Sequence, residues 1–313
     1  MQHGNAPASP LVGRVALLGA ALVVATLGLG ARQVAPSAPT TTTAAGSGTP
    51  AAAPARGRLL VFSKTASFRH QSIPDGIKAI KELLGDRYDV DATEDSAVFT
   101  ADNLARYRAV IFLSTTGDIL NDEQQKAFQG YIATGGGYAG VHAAADTEHT
   151  WPWYGELVGA YFKTHPNIQP ALVRVEDRTH RSTRMLPAEW RRTDEWYVYN
   201  RNPRGRVKVL ANLDDSTIQG ATMGGDHPIA WYHEFEGGRS WYTGGGHTSE
   251  SYTEDLFRKH LEGGILWAAG AADTAPQDAT QVPAGGATTK GATTKGAKTT
   301  GATTTGSAGG TPK

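Results

Sequence analysis

All seven tryptophans and all eleven tyrosines of this 313-residue chain lie between Tyr88 and Trp267. Aromatic side chains bury the largest areas in a folded core, so only the middle of the chain can build one. Residues 57–270 form that body, a length suited to one α/β domain. The body holds 23 basic and 28 acidic residues, a net −5, although the whole chain balances at 30 of each. Neither balance offers the basic face of a nucleic-acid binder, so no nucleic-acid partner is expected. The lack of cysteine excludes disulfides, thiolate metal sites, iron–sulfur clusters and a cysteine nucleophile.

The ends are built differently. Residues 15–31 are an uncharged apolar run of 17 behind Arg14, which is the charge order of a secretory signal. The run falls short of the roughly 20 apolar residues that span a bilayer. Residues 1–35 are therefore expected to be a signal peptide, with Ala31 and Ala35 as cleavage sites, or an uncleaved N-terminal anchor. Either form makes the body secreted or extracytoplasmic. Residues 36–56 are Thr, Ala, Pro, Gly and Ser with little to bury, a linker. Residues 271–313 carry a five-residue repeat, GATTK and its variants, over 286–305. That tail is too poor in apolar groups to offset the entropy of folding. It is expected to be disordered, a spacer or a tether to the cell envelope.

Within the body the patterns alternate. The run 58–62 reads as a strand. Ser72 with Pro74 opens a helix whose Ile77, Ile80, Leu83 and Leu84 share a face. Strands follow over 88–92 and over 109–113, AVIFL, the continuous apolar run of a strand buried on both faces. Asn121 caps a helix through Ala133, and 138–142 resumes as strand. Later strands fall over 171–175, 207–210, 229–235 and 239–243, the last two as a hairpin, and a closing helix spans 253–269. Strands separated by helices at this spacing predict a largely parallel sheet with helices on both faces.

Gly135-x-Gly137-x-x-Gly140 matches the dinucleotide fingerprint in letters only. Its glycines end a helix and open a strand, the reverse of the order that places phosphate at a helix N-terminus. Gly135 reads instead as a helix C-cap. Open α/β sheets bind ligands at the carboxyl ends of their strands, and three such ends carry histidine: His70, His142 and His247. Trp151, Trp153 and Tyr154 follow the second of them and offer flat faces that stack on sugar rings.

Five stretches together resemble the ThuA-like family, named for trehalose utilisation: FRH at 68–70, GGGYAGVHAAADTEHTWPWYGELVGAYFKTHP at 135–166, Asp194-Glu195 before Trp196-Tyr197, DHPIAWYHEFEGGRSWYTGGGHTSESY at 226–252, and GGILWA at 263–268. The resemblance implies the class I glutamine amidotransferase-like fold, a three-layer flavodoxin-like α/β sandwich. It also implies a substrate among disaccharides and their keto-sugar derivatives. The amidotransferases of that superfamily carry a nucleophilic cysteine in a Gly-x-Cys-x-Gly turn, where this chain has Gly140-Val141-His142-Ala143-Ala144. Their histidine corresponds to His247, and Glu250 stands one residue beyond the usual His-x-Glu spacing. No Gly-x-Ser-x-Gly replaces the turn, so glutaminase activity is not expected.

The expected chemistry is acid/base work on a sugar. His142, His247 and Glu195 are the candidate catalytic groups, and His70, Arg69, Asp146, Glu148 and Trp153 the candidate sugar-binding groups, with His149 close by. No HExxH or comparable spacing calls for a cofactor. A divalent metal held by two or three histidines and a carboxylate is the alternative. A non-catalytic glycan-binding module of the cell envelope is the rival functional class.

Overall fold

The computed structural model describes residues 56–273. The expected signal or anchor over 1–35, the linker through 55 and the tail from 274 lie outside the described residues. Among the described residues no helix is long and apolar enough to cross a membrane.

The body begins with β1 (Gly57–Phe62), α1 (Ile73–Leu84), β2 (Tyr88–Thr93), α2 (Ala101–Leu104) and β3 (Tyr107–Leu113). It continues with α3 (Asp122–Ala133), β4 (Gly137–Val141), α4 (Pro152–Val158), β5 (Phe162–Thr164), β6 (Gln169–Val175), β7 (Glu189–Asp194) and β8 (Val198–Tyr199). Strands β9 (Lys208–Leu213), β10 (Pro228–Phe235) and β11 (Gly238–Thr243) precede the closing helix α5 (Asp255–Ala268). Nine strands form one sheet in the order β2-β1-β3-β4-β11-β10-β9-β6-β7, and β5 pairs with β8 in a separate ribbon. The five strands β2, β1, β3, β4 and β11 run parallel. The four beyond them pair antiparallel.

The period of two along each strand sends neighbouring residues to opposite faces. Phe112 and Tyr138 turn to one face, where Phe128 of α3 and Tyr154 of α4 pack on them. Leu113, one position on, turns to the other face and meets α1 at Gly76. On that same face Trp241 lies under α5. A Cβ at Gly264 would stand 2.1 Å from the Trp241 ring, so glycine lets the helix axis approach the sheet. Helices cover both faces, which makes the molecule the three-layer α/β sandwich that the alternating pattern predicts.

Two local readings differ in detail. Asn121 caps α3 as expected, with a full capping box to Gln124. At the other end of α3 the cap is Thr134, and Gly135 follows it at φ +98, its N–H donating to Ile132 O. That is the left-handed residue of a helix terminus rather than the cap itself. Ser72 does precede α1, but its hydroxyl makes no cap hydrogen bond and donates instead to Gly246 O at 3.3 Å. The side chain is turned away from the helix to hold the loop behind β11.

Candidate functional site

The candidate site is built where three parallel strands end. After β1 the chain reaches His70. After β4, His142 sits at φ +51, a left-handed conformation that costs a non-glycine residue about 1–3 kcal/mol. That sharp turn lifts the imidazole off the strand end. The Tyr242 hydroxyl donates to the His142 carbonyl at 2.9 Å and holds the turn. After β11 the run of glycines brings His247 alongside. Glu195 comes from the opposite half of the sheet, just beyond β7.

The side chains converge. His142 Nε2 lies 3.1 Å from His247 Nδ1 and 3.4 Å from Glu195 Oε2, and His247 Nδ1 lies 3.1 Å from that same oxygen. The His70 ring meets His142 and His247 edge-on, with centroids at 4.8 and 5.0 Å. His142 Nδ1–H donates to Gly244 O at 2.9 Å. A carbonyl can only accept, so neutral His142 presents the lone pair of Nε2 to the cluster. Glu195 Oε1 is engaged by His165 Nδ1 at 3.2 Å, which leaves Oε2 for the two histidines.

Asp194, fully buried, underpins this corner. Its carboxylate accepts from the backbone N–H of Glu195, Gly246 and His247 and from Arg192. Arg192 is itself buried and reaches Ser251 and Glu254. Tyr252 and Ser72 both donate to Gly246 O.

Burial raises the proton affinity of the Glu195 carboxyl, yet His142 and His247 in their protonated forms, donating to it and charged beside it, outweigh burial and leave the group below the ordinary carboxylate range. Burial also works against protonation of His247, and Glu195 overcomes it, so His247 is raised. His70 is lowered to about 3, first by burial and then by the two neighbouring imidazoles.

An open cleft of about 410 Å³ reaches the cluster. Phe68, Arg69, His70, Ile168, His247 and Glu250 are among the residues that line it. Phe68 and Ile168 are exposed at 62% and 47%.

The other residues singled out from sequence lie apart from the cluster. Arg69 is on the cleft wall, but its guanidinium pairs with Glu94 at 2.6 Å. Asp146 is the last residue of the short 3-10 turn that begins at His142, and its carboxylate pairs with His149 Nε2 at 2.9 Å. Glu148 is buried at φ +55, and its carboxylate accepts from Ile119 and Leu120 N–H and from Gln125. It therefore anchors the segment before α3. Trp153 rides on α4 and donates to Glu236 in the β10–β11 turn, at the end of β11 opposite His247. Asp194, His165, Tyr197 and Phe68 received no role from sequence. Tyr197 lies against the His142 ring at 4.3 Å. The resemblance did mark the pair Asp194-Glu195, and no sequence signal told the buried anchor from the group that faces the cluster.

Sheet order, layers and the histidine at the turn after β4 define a class I glutamine amidotransferase-like sandwich without a thiol nucleophile. The family model described as ThuA, trehalose utilisation, matches residues 58–268, and the chain belongs to that family. Among solved structures the chain is similar to a ThuA-like protein from Bacteroides uniformis, with 28% identity and a TM-score of 0.60 over 71% of this chain and 95% of that one. A ThuA-like protein from Parabacteroides merdae shares the fold, with 20% identity and a TM-score of 0.59 over 71% and 94%. The comparison with curated proteins finds no match.

Proposed function

We propose that the chain is an exported ThuA-type enzyme that transfers protons on an oxidised, trehalose-like disaccharide at the cluster of His70, His142, His247 and Glu195. The observation that carries this reading is the convergence of three imidazoles and one carboxylate, from four separate segments, at the ligand-binding edge of the parallel strands. A ring carbonyl acidifies the neighbouring C–H. Removing that proton takes a base at carbon and a hydrogen-bond donor at the developing oxyanion. Closely set imidazoles, oriented by Gly244 O and Glu195, provide both kinds of group in one place. The exposed ring of Phe68 beside His70 is the aromatic surface available to a sugar face, in place of Trp153.

The export part of the reading is supported by the sequence of residues 15–31 alone. Mass spectrometry of the protein from its native host should find a mature N-terminus between Ala31 and Arg56, and recovery from the cytosol with Met1 in place would refute it. For the chemistry, a keto-disaccharide is incubated with the protein in deuterated water, and NMR follows exchange at the carbon beside the carbonyl together with turnover. His142→Ala and His247→Ala should each slow both by at least about a hundredfold with an unchanged circular dichroism spectrum. Unchanged rates in both variants would refute the site. Binding without exchange or turnover in the wild type would favour the glycan-binding module.

A further inference from the structure

We infer that His142, His247, Glu195 and His70 form a binding site for one first-row divalent cation of the zinc type. This goes beyond the sugar reading and competes with it, because a bound cation occupies the same lone pairs that proton transfer by these groups needs. His142 Nε2, His247 Nδ1 and Glu195 Oε2 form a triangle with edges of 3.1, 3.1 and 3.4 Å. A tetrahedral zinc ion with bonds of about 2.0–2.1 Å sets its ligand atoms about 3.3 Å apart. The triangle thus has the size of one face of that tetrahedron. The ligand atoms of all four residues lie within 4.8 Å of one another, which brings a nitrogen of His70 near the open side of that face.

Three features mark a built site rather than a chance meeting of side chains. The Nδ1 atom of His70 is buried without a hydrogen-bond partner, and the residue is 4% exposed. An imidazole nitrogen so placed costs free energy unless something binds it. Next, the outer contacts are those that ligands of a metal make: His142 gives its other ring N–H to a backbone carbonyl, and Glu195 its other oxygen to His165. Finally, Asp194 and Arg192 fix the backbone on which both Glu195 and His247 are carried. The donor set, imidazole with one carboxylate, suits zinc, cobalt or nickel. The hard cations magnesium and calcium prefer all-oxygen sets.

The full chain, stripped with a chelator and dialysed, is titrated with Zn²⁺ by calorimetry and with Co²⁺ by visible absorption. Metal content is read by mass spectrometry. One equivalent per chain, the intense visible band of four-coordinate cobalt, and a melting temperature that rises with zinc concentration are expected. His247→Ala, at the more accessible corner, should weaken zinc binding at least about a hundredfold, and Glu195→Gln should weaken it and change the cobalt band. Wild-type binding far below one equivalent would overturn the inference. So would affinity unchanged in both variants, which would move the metal elsewhere. Because the wild-type titration needs no variant to fold and no sugar, failure here leaves the proton-transfer reading to its own test.

Discussion

The two halves of the sheet do different work. In the parallel half, β2-β1-β3-β4-β11, the central strands are almost wholly apolar and buried: β3 shows one exposed residue in seven and β4 none in five, while the edge strand β2 has no buried residue. In the antiparallel half, β7 alternates, with Trp190, Arg192 and Asp194 turned inward and charged or polar residues outward. The parallel half is held by area removed from water, and the far edge by a buried ion pair that must stay complete. The comparison explains the site. Three histidines come from parallel strand ends, where any side chain can project, and the carboxylate comes from the edge that can bury charge.

The largest expected effect is on that buried pair. Arg192 and Asp194 side chains are 4% and 0% exposed, so Asp194→Ala leaves the buried guanidinium with Glu254 as its one carboxylate partner and strips the N–H groups of Glu195, Gly246 and His247 of their acceptor. It should cost about 3–5 kcal/mol of unfolding free energy in urea. Leu113→Ala in the parallel half should cost a comparable 2–5 kcal/mol through a cavity alone. An Asp194→Ala cost below about 1 kcal/mol would erase the distinction between the halves.

Acid should act on both halves. His260, buried against Trp241 and Trp190, is lowered from 6.5 to about 3, chiefly by burial. His180, against Tyr232, is lowered to about 4 for the same reason. The unfolded chain takes up protons below pH 6.5 that the folded chain refuses until near 3 or 4. Stability from these groups is therefore full above 6.5 and is lost as pH falls through that window, by up to about 2 kcal/mol each near pH 5. A urea midpoint flat from pH 7 to pH 5 would contradict the assignment.

Short apolar runs bounded by turn residues were enough to read the central strands of the parallel half, whose length sets them apart from helices. β7 was not legible, since EWRRTD is polar in letters and only its pairing with β6 shows which side faces inward. The histidines could be read from strand ends. The distances among them could not, and neither could Ser72, whose place before a helix suggests a cap although its hydroxyl serves the Gly246 loop. Nearness in sequence misled at Trp153: the turn and α4 after His142 carry the indole to the opposite end of β11.

Two smaller effects sharpen that last point. Trp153→Ala should leave exchange and turnover within about twofold of wild type, as the site lies at the other end of the strands. A loss approaching that of His247→Ala would return Trp153 to the site. Arg69→Ala removes a pair with both side chains about half exposed and should change stability by no more than about 0.5 kcal/mol. A larger loss in urea denaturation would show that Arg69 does more than meet Glu94.

The central claim is that the antiparallel edge completes the histidine site, which a double-mutant cycle of His247→Ala and Glu195→Gln in chelator tests directly. Unfolding free energies of the wild type, both single variants and the double variant should give a coupling of about 0.5–3 kcal/mol, the range for residues in contact. Additivity within about 0.3 kcal/mol would show that Glu195 and His247 do not interact, and would contradict the site as described.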